Sequence, residues 1–477
     1  MSTLYRFDAI IPAHDAAAIR GGGLLERDGR IVAAGLFVDV ARHAGELEPE
    51  VIHGVAFPGL IDAHSHLRAM PLELHDIAPA PLEPWICSLA AMTSLDPGDE
   101  AFVAASDLLG TGVTAVQGIA QTFAPVEDVV RTVDTVHRGL LSAGIRALLV
   151  VGFTDRAERA PLPPMRSLAH VPPVDHGTTI DEWAEIVQRI QKPTFATPHS
   201  VPSLVEIGIG PVAAQWCSDN ALDRIAGLRG TMRVHTHLHE SALQRTWVKG
   251  EPEPLTRLIG KGLLGDFVSA AHGVHLSHSE LRTLAESGAA LVHCPSSNRR
   301  LSAATANIAD WRAAGIHIAL GIDSQSVGLP DMFAEMRAAR STATGWGTRL
   351  SARDVFGMAT EGGASALGIE AGRLEPGRFA DFAVLDLPAS GTAEGMAGVD
   401  DPVERIVSDG SREHVTDVVV GGQRVLRQRE GRSHAIVEAL RLSLAAELRA
   451  DRESRLRRLT DLAPAIAELT ELVGRAT

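Results

Sequence analysis

Short, uninterrupted apolar runs alternate along the chain with longer amphipathic stretches. Phe57–Asp62, Gly112–Gln117, Ile145–Thr154, Thr194–Ser200, Met232–His237, Phe267–His272, Ala289–Ser296 and Ile316–Asp323 each read as a buried strand. Runs that are apolar on both faces suit parallel strands covered on each side. Between them lie segments of helical periodicity, such as Glu280–Ser287 and Thr305–Ala314. Eight strands alternating with helices predict an α/β fold, a (β/α)8 TIM-type barrel.

The two ends have another texture. Residues 21–57 contain GGGLLERDGRIVAAG, short strands split by Gly and Asp-Gly turns, and residues 373–427 repeat the pattern in GRFADFAVLDL and VTDVVVGGQRVL. These flanks predict a small β-sandwich built from both chain ends. The expected division is 1–57 for the first part of the sandwich, 58–367 for the barrel, 368–430 for the second part and 431–477 for a helical tail. In that tail Ile436, Val437, Leu440, Leu444 and Leu448 recur at helical spacing, an apolar stripe that packs on the body or on a second subunit.

Composition narrows the partners. The net charge of −15 over 477 residues argues against nucleic acid or an anionic membrane as a partner, because phosphate is repelled. Cys87, Cys217 and Cys294 lie far apart and form no CxxC pair, so neither a disulfide framework nor a zinc knuckle is expected. The N-terminus lacks the pattern of a signal peptide, and runs such as Ala147–Phe153 are too short to span a bilayer. A cytoplasmic protein acting on a small molecule is the expectation.

The 20 histidines change the picture by their placement. Pro58-Gly59-Leu60-Ile61-Asp62-Ala63-His64-Ser65-His66 is an apolar strand ending in His-x-His, and the two-residue period puts both imidazoles on one face. At the C-terminal end of a barrel strand that face is the mouth, where barrel enzymes hold their chemistry. Val234-His235-Thr236-His237-Leu238-His239-Glu240 repeats the pattern at the fifth strand. Same-side residues are roughly 6–7 Å apart along a strand, so one metal takes one of His235, His237 and His239. Glu240 follows three residues after His237, and the sixth and eighth strands end in His272 and Asp323. Four strand ends thus each deliver a ligand-type residue to one rim.

In FPGLIDAHSHL, TPHSVPSL, HTHLHES, AHGVHLS, LVHCPSSN and ALGIDS, in that order, the chain resembles the amidohydrolase superfamily. The nearest likeness is to the branch of the triazine hydrolases and the cytosine, guanine and S-adenosylhomocysteine deaminases. The resemblance covers nearly the whole chain and specifies the branch rather than the substrate. It implies that His64, His66, His237 and Asp323 bind one divalent metal, and that Glu240 and His272 serve catalysis together with Asp323. Three imidazoles and a carboxylate suit Zn2+, with Fe2+ as the alternative. Binuclear members use a bridging lysine from the fourth strand, but Lys192 stands before the Thr194–Ser200 run, so one metal is expected. In the implied chemistry a metal-activated water, its proton taken by Asp323, attacks a carbon bearing a leaving nitrogen. Glu240 shuttles protons and His272 orients the attack.

The reaction expected is hydrolytic deamination of an amino-substituted N-heterocycle: a pyrimidine, purine, pterin or triazine-like ring. The alternatives are an iminohydrolase of the formimidoylglutamate type and a triazine dechlorinase or amine hydrolase. Candidate substrate contacts are His199 in TPHS, Trp85 in the PLEPW stretch after the first strand, and Gln117 at the end of the second. Trp85 reads equally as a loop anchor. His75, His235, His239, His275 and His278 are assigned to the surroundings of the site, the core or the surface, and His293, Cys294, Ser297 and Asn298 to shaping the rim. A homodimer is compatible with the resemblance. A non-catalytic scaffold relative is disfavoured because every expected metal ligand is present.

Overall fold

The computed structural model describes residues 2–120, 126–155, 178–190, 203–245, 252–301, 304–324, 329–387, 401–431 and 433–476. Five strands come first: β1 (Ser2–Ile10), β2 (Ile19–Arg20), β3 (Gly22–Arg27), β4 (Arg30–Leu36) and β5 (Glu50–Pro58). The next eight are β6 (Leu60–Ser65), β7 (Val113–Ala120), β8 (Arg146–Phe153), β9 (Val205–Pro211), β10 (Val234–Leu238), β11 (Val268–His272), β12 (Ala290–His293) and β13 (His317–Leu320). They pair in sequence order and in parallel. A parallel bridge from Ser65 to Asp323 joins the two outer edges, so the barrel is nearly closed. Strands β7 and β8 are buried along their whole length, as expected for a sheet closed on itself and wrapped by helices.

Two of the expected strands are corrected. The Phe57–Asp62 run is cut at Gly59: Phe57 and Pro58 end β5 of the other sheet, and the barrel starts at Leu60. A Cβ at Gly59 would overlap the Thr114 side chain, so glycine allows this close crossing. The fourth barrel strand is Val205–Pro211, whereas the Thr194–Ser200 run lies outside the described residues. This strand, VEIGIGP, contains no lysine, so the expectation of no bridging lysine rests on these residues instead of on Lys192.

The last strands, β14 (Phe382–Leu385), β15 (Val415–Val420), β16 (Gln423–Arg427) and β17 (Glu430–Gly431), join the first five in one nine-stranded mixed sheet. Its order is β17-β16-β15-β14-β5-β1-β3-β4, with β2 beside β1, and both chain ends therefore meet at the β5–β14 pair. Tyr5, Phe7 and Phe382 pack their rings at its centre, with Phe382 edge-on to Tyr5 at 5.2 Å and to Phe7 at 5.6 Å. A buried ion pair ties this sheet to the barrel: Arg146 Nε of β8 donates to Asp381 Oδ2 at 2.6 Å, and its guanidinium lies 3.7 Å from the Phe379 ring centre.

The tail forms helices His434–Ala450 and Arg452–Ala476. Val437, Leu444 and Leu448 of the expected stripe are buried against Met70, Phe102 and Val103, while Ile436 falls off the stripe and is exposed. Arg455 is buried and donates to Asp76 Oδ2 at 2.7 Å, fastening the tail to the loop that follows β6. Among the described residues no helix is long and apolar enough to cross a membrane.

Candidate active site

Strand alternation aims His64 of β6, His237 of β10 and His272 of β11 at the mouth, with His66 just past β6 and Asp323 just past β13. Asp323 Oδ1 lies 3.3 Å from His64 Nε2 and 3.1 Å from His66 Nε2. Ligand atoms of His64, His66 and His237 come within 4.8 Å of one another, and so do those of His64, His272 and Asp323. His64 and His237 bring their ring centres to 4.8 Å at a near-perpendicular angle. Glu240 Oε1 stands 3.7 Å from His272 Nε2. Asp323, Glu240 and the four histidines therefore converge on one spot.

The backbone departs from regular strand to achieve this. His272 has φ +77°, Asp323 φ +68° and His239 φ +48°, all in the left-handed region that side chains with a Cβ rarely adopt. The turn at His239 takes that ring out of the strand's inward row and so out of the cluster. It also brings Glu240 over the mouth.

Three of the four site imidazoles, His64, His237 and His272, have an orienting partner on the other nitrogen. His237 Nδ1 donates to Val212 O at 2.8 Å, immediately after β9, and His272 Nδ1 lies 2.9 Å from Asn298 Oδ1. His64 Nδ1 lies 2.9 Å from His235 Nε2, and the Ser297 hydroxyl donates to Asp323 Oδ2. The nitrogens facing the site are the reverse. His64 Nε2 and His272 Nε2 are buried without a hydrogen-bond partner among the described residues. Buried orphan nitrogens are costly unless something binds them. Nitrogens left free toward a carboxylate, with their backs held by protein acceptors, are the arrangement of metal-ligating histidines. The residues present therefore fit a divalent metal.

Burial sets the charge states. It drives His64 down to about 4, holds His235 and His237 well below the ordinary imidazole value, and lowers His272. These rings are neutral near pH 7, the form that ligates. Burial pushes Asp323 upward, but His64 and His66 hold its carboxyl well below the usual carboxylate range. Glu240 goes the other way: burial, then the charges of Asp323 and Glu83, raise it well above the ordinary glutamate value. The two neighbouring acids are thus pushed in opposite directions, the division of labour that general acid chemistry needs.

The expected substrate contacts divide. His199 lies outside the described residues. Trp85 is buried in the short helix Leu82–Leu89, clustered with Leu72, Ile77, Leu82 and Leu301, which matches the loop-anchor reading. Gln117 is corrected. It is buried within β7, and its amide is consumed inside the barrel: Nε2 donates to Ala63 O at 2.6 Å, while Oε1 accepts from Ser269 Oγ at 3.0 Å. An amide engaged at both ends behind His64 has no donor or acceptor to offer a ligand.

Glu83 was not singled out from the sequence, although it stands two residues before Trp85. Its side chain is buried, accepts from the Ser241 hydroxyl, and leaves Oε2 without a hydrogen-bond partner among the described residues. A carboxylate in an otherwise apolar loop helix was the available signal.

Comparison with known proteins agrees with this geometry. Residues 55–425 match the amidohydrolase family. A 5-methylthioadenosine/S-adenosylhomocysteine deaminase of Haloarcula marismortui is 30% identical over 361 residues, covering 72% of this chain and 76% of the relative. A 5'-deoxyadenosine deaminase of Methanothermobacter thermautotrophicus is 28% identical, covering 83% of this chain and 90% of the relative. The solved structure of an adenosine deaminase from Xanthomonas campestris with bound zinc superposes with a TM-score of 0.76 at 25% identity, covering 94% of this chain and 98% of that one. The chain belongs to the amidohydrolase family.

Proposed function

We propose that this protein is a hydrolytic deaminase of an amino-substituted N-heterocycle, with the adenine ring of a nucleoside as its first candidate substrate. The observation that carries the reading is the juxtaposition of the buried Glu240 carboxyl, 3.7 Å from His272 Nε2, with the His64–His66–His237–Asp323 cluster. The adenosine-type names of the relatives favour the purine over a pyrimidine, pterin or triazine. His64, His66, His237 and Asp323 would hold the metal, with Zn2+ as the first choice on the donor set and the zinc of the solved relative.

When bound, such a metal acidifies a water and polarises the carbon–nitrogen centre under attack. The chain's own groups do the rest. Asp323, kept ionised, accepts the water's proton, and Ser297 steadies its second oxygen. Glu240, whose carboxyl burial raises, gives a proton to a ring nitrogen and regains one from the attacking oxygen as the carbonyl forms, while the proton held by Asp323 leaves with the departing ammonia. His272, fixed by Asn298, presents Nε2 beside Glu240 to orient the oxygen that forms. Glu83 offers a buried acceptor for a donor group of the substrate.

The test is ammonia release from zinc-loaded protein on adenosine, 5'-deoxyadenosine, 5'-methylthioadenosine, S-adenosylhomocysteine, guanine, cytosine, an aminotriazine and a formimino compound. Ammonia from an adenine nucleoside, lost in Asp323→Asn, is the expected result. Release from the formimino compound alone would transfer the reading to an iminohydrolase.

A further inference from the structure

One layer below the mouth, β7, β10 and β11 place Gln117, His235 and Ser269 side by side behind His64, all buried. His64 Nδ1 and His235 Nε2 are 2.9 Å apart, His235 Nδ1 and Ser269 Oγ 2.8 Å, Ser269 Oγ and Gln117 Oε1 3.0 Å, and Gln117 Nε2 and Ala63 O 2.6 Å. This is a continuous row of hydrogen bonds starting at the back of a metal-facing ring and ending on a backbone carbonyl.

Two neutral imidazoles in contact through one nitrogen each must divide the roles of donor and acceptor. If His64 Nε2 is to bind a metal it carries a lone pair, so the ring's proton sits on Nδ1. His64 Nδ1 then donates, His235 Nε2 accepts, and the His235 proton sits on Nδ1. From there it points to Ser269 Oγ, which donates onward to Gln117 Oε1, whose amide donates to Ala63 O. At the far end Ala63 O can only accept, which sets the Gln117 amide to donate there and its Oε1 to face Ser269. One contact opposes this setting: Gln117 Nε2 lies 2.7 Å from His235 Nδ1, two donors face to face. The reverse setting satisfies that contact but puts a proton on His64 Nε2, facing Asp323 Oδ1 at 3.3 Å, and leaves that nitrogen no lone pair for a metal.

We propose that His235 is a positioning residue for the metal: through the Ser269–Gln117–Ala63 row it holds His64 in the Nδ1-protonated tautomer, with its Nε2 lone pair turned to the site. This rests on the reading of His64 as a ligand. Among the described residues no other site imidazole is held by a second histidine: His237 leans on Val212 O and His272 on Asn298. His64 is thus the ligand whose tautomer depends on another ring's tautomer.

The experiment is a zinc titration of the full-length, metal-stripped protein against a chromophoric chelator, for wild type, His64→Ala, His235→Gln and His235→Leu. Gln keeps an acceptor near the position of His235 Nε2, and Leu removes it. The expected result is weakening of zinc binding about 10- to 100-fold in His235→Leu, with His235→Gln much closer to wild type. Loss of zinc in His64→Ala beside unchanged binding in His235→Leu would sink the proposal while leaving the site intact. Equal weakening by Gln and Leu would also overturn it, since packing alone would then explain both. Unchanged binding in His64→Ala would overturn the ligand reading itself. Nitrogen-15 NMR of histidine-labelled, metal-stripped wild type, in which the protein alone sets the tautomer, decides the matter even if the Leu variant does not fold. A His64 signal of the Nδ1–H form supports the proposal, and the Nε2–H form refutes it.

Discussion

The barrel mouth and the junction between the barrel and the nine-stranded sheet both bury charged side chains, yet they treat them in opposite ways. At the junction Asp381 is fully engaged: Arg146 donates to both of its oxygens and Gly421 N adds a further bond. At the mouth His64 Nε2 and His272 Nε2 are buried without hydrogen-bond partners among the described residues, and two site residues hold left-handed backbone. A buried pair with every valence met serves cohesion, whereas orphan nitrogens and strained backbone persist only where something else selects them. The contrast separates residues that hold the molecule together from residues that act.

Glu240→Gln gives the largest separation. It should lower kcat about 100- to 10,000-fold, because the amide cannot release a proton. The melting temperature should stay near wild type or rise, since Gln keeps the shape and replaces a carboxyl whose ionised form burial disfavours. A large loss of stability with catalysis intact would reverse the assignment of the mouth. Asp381→Ala is the mirror image. Leaving buried Arg146 without its carboxylate should cost about 3–5 kcal/mol in denaturant unfolding. The kcat of the molecules that remain folded should be nearly that of wild type, and a selective loss of kcat would show that the junction reaches the chemistry.

Glu335 gives the smallest and most graded effect. It lies buried in the helix Met332–Gly345 and accepts from Ser296 N at 2.9 Å. Burial pushes its carboxyl up to about 7 from an ordinary 4.5. A pKa raised by folding means that the folded state prefers the protonated form. The penalty for ionising it is absent below the ordinary value, grows as pH rises, and is complete above about 7. Glu335→Gln should therefore gain stability over wild type between pH 5 and pH 8. A difference in melting temperature that stays flat across that interval would mean that Glu335 is solvated.

Most of the barrel was legible because parallel strands buried on both faces leave apolar runs, and those of β6, β10, β11, β12 and β13 bring histidine or aspartate to the mouth. The fourth strand was not. In VEIGIGP, Gly208, Gly210 and a terminal proline thin out the apolar signal, and TFATPHS looked the better strand. Gly210 is required by packing: a Cβ there would overlap the His235 carbonyl oxygen of β10. That demand comes from a neighbour distant in sequence, which no local pattern records. The cluster of His64, His66, His237, His272, Glu240 and Asp323 was read correctly as one convergence, because alternation and barrel topology together fix which end and which face each residue occupies. Gln117 was misplaced for a related reason. It shares the inward face but sits one layer lower, and depth in a barrel depends on the stagger between strands.

The pairing of β5 with β14 has a consequence for biosynthesis. Strand β5 leaves the ribosome more than 300 residues before Phe382–Leu385, the segment that covers its edge. Through that interval the nascent chain carries an uncapped strand edge, a template for pairing with other chains. Prematurely terminated chains that end before Phe382 should accordingly aggregate rather than fold into a smaller working enzyme.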